Sequence, residues 1–202
     1  MTLTDLKLER YSRNILLPEI GGTGQEKLLK SKVLVIGAGG LGSPVIMYLS
    51  ALGVGNITII DHDRVELSNL QRQIIHNTEN IGFYKSESAA VFANKLNPDI
   101  KIISINKQFN SKNADQLISD HDIIADGSDN LKTRYLVADT SFKKGKTLVA
   151  AAITKYEGQI STWKNKNNNY PCFRCLFPNV PENSQVNNCS SNGVIGSLGG
   201  FL

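Results

Sequence analysis

Lys32-Val33-Leu34-Val35-Ile36-Gly37-Ala38-Gly39-Gly40-Leu41-Gly42 is the stretch that decides the fold. Its apolar run, unbroken through Ile36, reads as a strand buried on both faces, as in a parallel sheet. The G-x-G-x-x-G that follows (Gly37, Gly39, Gly42) turns the chain sharply. It lets phosphate oxygens approach backbone N–H groups at the start of the next helix. Residues 43–52 carry a helical pattern, with Pro44 tolerated in the first turn. Gly53 and Gly55 close it, and residues 56–61 read as a second strand. Strand, glycine turn, helix and strand make a βαβ unit of about 30 residues. Asp61 ends the second strand about 20 residues after the turn, where a carboxylate hydrogen-bonds a ribose hydroxyl. The motif alone does not separate NAD, FAD and ATP.

Outward from this unit the alternation continues. Residues 86–96, 114–119 and 131–142 read as helices; 101–105, 122–125, 147–153 and 158–163 read as strands. The expected fold is α/β: a doubly wound, Rossmann-like mixed sheet with helices on both faces. Residues 1–202 form a single domain in this reading. Residues 1–31 make an N-terminal helical arm, broken by Gly21-Gly22, and residues 32–164 the core. Residues 165–192, rich in Asn, Pro and Ser, form a loop that holds Cys172, Cys175 and Cys189. Residues 193–202 read as the glycine-rich start of a further element whose remainder is missing.

Composition excludes several classes. At 202 residues, with 41% hydrophobic and 20% charged residues, the chain is neither disordered nor fibrous. No stretch approaches the roughly 18–20 apolar residues of a membrane span, and residues 1–10 lack a signal-peptide core. Three clustered cysteines are too few for a disulfide scaffold, so a cytoplasmic protein is expected. The net charge of +4 is dispersed. The basic run Lys143, Lys144 and Lys146 is short and without interleaved aromatics, which argues against nucleic-acid binding.

Six arginines stand against sixteen lysines. Under such a bias, arginine is expected to persist where a planar fork is needed: Arg10, Arg13, Arg64, Arg72, Arg134 and Arg174. Ser68-Asn69-Leu70-Gln71-Arg72-Gln73 follows Asp61, Lys85 opens a helix, and Asp129-Asn130 follows the fourth strand. At the carboxyl ends of a doubly wound sheet these groups can converge on the glycine turn. Arg72 and Lys85 would neutralise a triphosphate, Asp61 hold ribose, and Asp129 hold Mg²⁺. Cys172 and Cys175 have the spacing of two Zn²⁺ ligands, a spacing shared by redox motifs and by free thiols. His62, His76 and His121 are scattered and read as surface or packing residues.

Arg10-Tyr11-Ser12-Arg13, the glycine turn, Asn69-Leu70-Gln71-Arg72, Lys85, Asp129-Asn130 and Pro171-Cys172-Phe173-Arg174-Cys175 resemble, in order and spacing, the ThiF/MoeB/HesA family of ubiquitin-activating-enzyme relatives. The resemblance spans nearly the whole chain. It looks closest to the molybdopterin-synthase adenylyltransferase branch, with the thiamine-pathway branch next. It implies MgATP-dependent adenylylation of the C-terminal glycine of a ubiquitin-like sulfur-carrier protein by a homodimer. Gly37, Gly39, Gly40, Gly42, Asp61, Ser68, Asn69, Leu70, Gln71, Arg72, Lys85, Asp129 and Asn130 would form the ATP site. Arg13 would reach the neighbouring subunit's phosphates. A second Cys pair, beyond this chain's end, would complete a Zn²⁺ site begun by Cys172 and Cys175. Cys189 is a candidate third ligand; in some relatives a cysteine of this loop carries the activated tail or a persulfide, a role the adenylylation chemistry itself does not require. An oxidoreductase reading rests on the glycine turn alone and leaves Arg13, Arg72 and Asp129 unexplained. A non-catalytic carrier-binding protein is the third reading.

Overall fold

The apolar run at 32–36 forms the central strand of a six-stranded sheet. In the computed structural model, which describes residues 3–164, 170–179 and 193–201, β1 (Lys32–Ile36) is flanked by β2 (Asn56–Ile60) and β4 (Ile123–Asp126). The order is β3-β2-β1-β4-β5-β6, with β3 at Lys101–Ile105, β5 at Thr147–Thr154 and β6 at Glu157–Lys164. The first five strands run parallel; β6 turns back through Lys155 and Tyr156 and pairs antiparallel with β5. Strand order reverses at β1, which opens a crevice at the carboxyl ends of β1 and β4.

Alternate residues of β1 feed two cores, because successive side chains of a strand leave opposite faces. Leu34 and Ile36 join Ile124, Leu148 and Trp163 under α6 (Ala114–Ser119) and α7 (Leu131–Lys143). Val33 and Val35 join Ile57 and Ile59 under α4 (Gly42–Leu52) and α5 (Lys85–Leu96). Helices cover both faces, as expected for a sheet whose central strands are apolar on both sides.

The N-terminal arm is α1 (Asp5–Arg10), α2 (Ser12–Ile15) and α3 (Gly21–Lys30). Gly21 and Gly22, expected to break a helix, instead begin α3. Gly21 takes a left-handed φ of 55°, turning the chain so that Gln25 and Leu29 can be buried. Tyr11, 1% exposed, receives a hydrogen bond from Asn97 Nδ2 at 2.9 Å, and Gln25 Nε2 donates to the Leu52 carbonyl at 2.8 Å. The arm is thereby docked to the ends of α4 and α5. Of the Cys-containing loop, residues 170–179 include one helical turn, α8 (Phe173–Leu176). Phe173 packs edge-on to Tyr135 and Trp163. Cys189 lies outside the described residues. Residues 193–201 pair with the β5–β6 turn through the Lys155–Val194 bridge and end in α9 (Leu198–Phe201).

Candidate functional site

A cavity of about 410 Å³ opens at the reversal of strand order, a volume within the range of small-molecule sites. Of the residues expected there, Gly37, Gly39, Gly40, Asp61, Arg72, Lys85, Asp129 and Asn130 line it. These come from three separate connections, those that leave the carboxyl ends of β1, β2 and β4.

The glycine turn is held at both backbone groups of one residue, Ala38. Asp61 Oδ2 accepts from the Ala38 N–H at 2.8 Å, and His76 Nε2 lies 3.0 Å from the Ala38 carbonyl. A carbonyl only accepts, so Nε2 carries the proton; Nδ1 accepts from the Ser88 hydroxyl at 2.8 Å. Burial pulls the His76 pKa below its ordinary value against the opposing Ala38 hydrogen bond, with Lys85 adding to the depression. A neutral imidazole with this tautomer suits both partners. His76 was expected only to pack; it braces the turn. Asp61, expected to hold a ribose, has a structural task besides, since its Oδ1 accepts from the Asp63 N–H at 2.8 Å. A carboxylate has lone pairs for both tasks.

Gly42 does not line the cavity. A Cβ there would stand 1.9 Å from the Gly37 carbonyl oxygen, so its task is close packing of the turn against α4. Ser68, Asn69, Leu70 and Gln71 also lie off the cavity wall. Asn69 is 7% exposed and its Oδ1 accepts from the Glu66 N–H, closing a capping box around a short 3₁₀ turn. The Asn69 carbonyl accepts from the N–H groups of Arg72 and Gln73, and the Ser68 carbonyl accepts from Arg72 Nη1 at 3.0 Å. This loop therefore aims Arg72 and Gln73 into the cavity. Asn130 caps α7, its side chain accepting from the Thr133 N–H. Arg13, exposed on α2, makes no hydrogen bond or ion pair among the described residues and lies outside the cavity.

Several lining residues were not legible as such: Asp63, Gln73, Lys107 and Arg134. Arg134 belonged to the sparse arginines, and its Nη2 donates to the Ser128 carbonyl at 2.8 Å. Gln73 directly follows the motif; it is 4% exposed, its Oε1 has no hydrogen-bond partner among the described residues, and its Nε2 lies beside Gly39. Behind the wall, burial pushes the Asp126 carboxyl above its ordinary value, against the pull of Arg134 and of hydrogen bonds from Ser128.

Cys172 and Cys175 hold their sulfurs 3.5 Å apart, close to the separation of two thiolates about 2.3 Å from one tetrahedral Zn²⁺. Burial raises the Cys172 thiol, but hydrogen bonds from Cys175 and nearby backbone N–H groups outweigh it and set it below the ordinary value. The pair thus has the separation that two ligands of one Zn²⁺ would need, and the described residues supply no further cysteine.

A model of the ThiF family matches residues 11–202. The chain belongs to this family. Among curated ThiF-family relatives, it is 44% identical over 202 residues to the SAMP-activating enzyme E1 of Haloferax volcanii, covering all of this chain and 74% of the relative. It is 46% identical over 200 residues to the adenylyltransferase and sulfurtransferase MOCS3 of Xenopus laevis, covering 99% of this chain but 44% of that protein. The chain thus spans less than half of that two-activity relative. Among solved structures, selenomethionine PaaA superposes with a TM-score of 0.80 at 22% identity, over 99% of this chain and 64% of that one. That likeness concerns the fold. No helix among the described residues is long and apolar enough to cross a membrane.

Proposed function

We propose that this ThiF-family chain is an ATP-dependent adenylyltransferase acting on the C-terminal glycine of a ubiquitin-like sulfur carrier. The observation that carries this reading is the convergence of the braced glycine turn, Arg72, Lys85, Asp61 and Asp129 on one cavity. The named activities of the two relatives support it. Of the two activities in the MOCS3 name, the residues described here suit adenylyl transfer.

The chemistry asks for these residue types. The attacking group is a carboxylate with a pKa of about 3.5, already ionised at pH 7. Its oxygen forms a bond to the α-phosphorus, the bond to the bridging oxygen breaks, and pyrophosphate leaves with that electron pair. No protein nucleophile or base is required. What is required is relief of repulsion between two anions, which Arg72 and Lys85 supply electrostatically. Asp129 would hold Mg²⁺, which adds charge neutralisation at the phosphates when bound. Arg13 would act on the partner subunit's phosphates in a homodimer. Cys172 and Cys175 would supply half of a structural Zn²⁺ site. The carrier of molybdopterin synthesis is the first candidate; those of the thiamine pathway and of tRNA thiolation are the alternatives.

The test is carrier-stimulated ATP–pyrophosphate exchange with each purified carrier in turn. One carrier should stimulate exchange, and Lys85→Ala or Asp129→Ala should abolish it. Near-wild-type exchange in either variant would refute the assignment.

A further inference from the structure

Lys85 occupies a position hostile to a cation. It is the first residue of α5, at the positive end of the helix dipole, and its side chain is only 9% exposed. Burial removes water from the ammonium and the dipole repels it. Asp63 offsets both. Its Oδ2 accepts from Lys85 Nζ at 3.0 Å, and its carbonyl accepts from the Lys85 N–H at 2.9 Å. Asp63 is itself anchored, its N–H donating to Asp61 Oδ1. A hydrogen-bonded chain therefore runs from Ala38 in the glycine turn through Asp61 and Asp63 to the Lys85 ammonium. The Asp63 side chain is 54% exposed, so it lends its charge at little desolvation cost.

We propose that Asp63 is a positioning residue for the adenylylation reaction: its carboxylate holds the Lys85 ammonium at a set place on the cavity wall, in register with the glycine turn. This rests on the functional reading above. A cation fixed before the phosphates arrive needs no reorganisation as charge develops, which is where electrostatic stabilisation is most effective. Asp61, His62 and Asp63 also lie within 4.8 Å of one another. The ammonium already on Asp63 supplies the positive charge such a group would attract, which disfavours a second cation there.

The test compares the unaltered chain with Asp63→Asn, which keeps the side chain's shape and removes its charge. Exchange turnover should fall about tenfold with the KM for ATP within about threefold, because a displaced ammonium costs more in the transition state than in the ground state. Asp63→Glu, restoring the charge on a longer arm, should recover part of the loss. Unchanged turnover in Asp63→Asn would overturn the proposal. So would tighter ATP binding with full turnover, because the carboxylate would then merely compete with the triphosphate. The pair is read independently of activity in thermal unfolding of Asp63→Asn, Lys85→Met and the double variant. Non-additive effects are expected, since each residue compensates the other's charge; additive effects count against the proposal. An unaltered chain that neither binds ATP in calorimetry nor exchanges would remove the functional reading, and the unfolding comparison would still decide the Asp63–Lys85 coupling.

Discussion

Arg174 places Nε and Nη2 on the two oxygens of Asp139, at 2.6 and 2.8 Å, with its guanidinium over the Tyr135 ring. Lysine can reproduce neither the fork nor the stack. Arg64 similarly stacks on Tyr84 while donating to the Gly82 carbonyl, and Arg10 bridges Asp99 and the Leu96 carbonyl. Arginine's scarcity was thus an informative signal, also at Arg64, which lies outside the family motifs. Glycines separate just as clearly by physics. A Cβ on Gly42 would meet the Gly37 carbonyl oxygen at 1.9 Å, whereas one on Gly40 meets nothing nearer than Arg72 Cγ at 3.5 Å. Gly42→Ala should therefore cost about 3 kcal/mol or more in chemical denaturation, the upper range for overpacking. Gly40→Ala should leave stability within about 0.5 kcal/mol while weakening ATP binding in calorimetry. Equal stability of the two variants would contradict this division between packing and ligand approach.

At the scale of elements, the carboxyl end of β4 carries a buried acid. Asp126 is 3% exposed; its Oδ1 accepts from the Ser128 N–H, and its Oδ2 has no hydrogen-bond partner among the described residues. Burial raises its pKa above the ordinary 3.8. The folded state then binds the proton more tightly than the unfolded state, so Asp126's contribution is fully present below about pH 3.8 and is lost as pH rises through the folded value. Asp126→Asn, which retains the Oδ1 acceptor and carries no titrating charge, should melt higher than the unaltered chain at pH 7. The difference should shrink as the pH falls toward 4. A constant offset across that range would show that desolvation is not the cause. The neighbouring connection works differently: α7 begins on the Asn130 cap, and this places Asp129 at the mouth of the cavity.

For the whole molecule, the place of Arg13 bears on how many chains make one site. Arg13 sits on an arm docked through Tyr11 and Gln25, fixed in position yet outside its own cavity. In the proposed dimer it serves the other subunit. Mixing Arg13→Ala and Asp129→Ala chains should then regenerate one intact site per mixed dimer, giving about a quarter of wild-type exchange if subunits assort at random. Activity no higher than the sum of the separate variants would count against shared sites. Residues 193–201 join the assembly at the same place. A Cβ on Gly199 would lie 2.7 Å from the Gly40 carbonyl oxygen, and one on Gly196 lies 2.5 Å from that of Gln71. Gly196 and Gly199 therefore back the glycine turn and the loop that aims Arg72 into the cavity.

The amino-acid order alone determined the alternation of strands and helices, the glycine turn, the strand-end positions of Asp61 and Asp129, and the place of Lys85 at the start of a helix. These are local signals: an apolar run, a period, a turn residue, each readable within a few positions. Whether Asn69 faces a ligand or braces a loop was not readable, because its partner, the Glu66 N–H, is available only in the folded turn. Nor could the sequence pair Asp63 with Lys85, or His76 with Ala38, since these contacts join residues 22 and 38 positions apart. Such contacts depend on where the sheet brings its connections together. Only the closed tertiary structure removes water from Asn69, His76 and Lys85, and that removal is what gives each of their partners its weight.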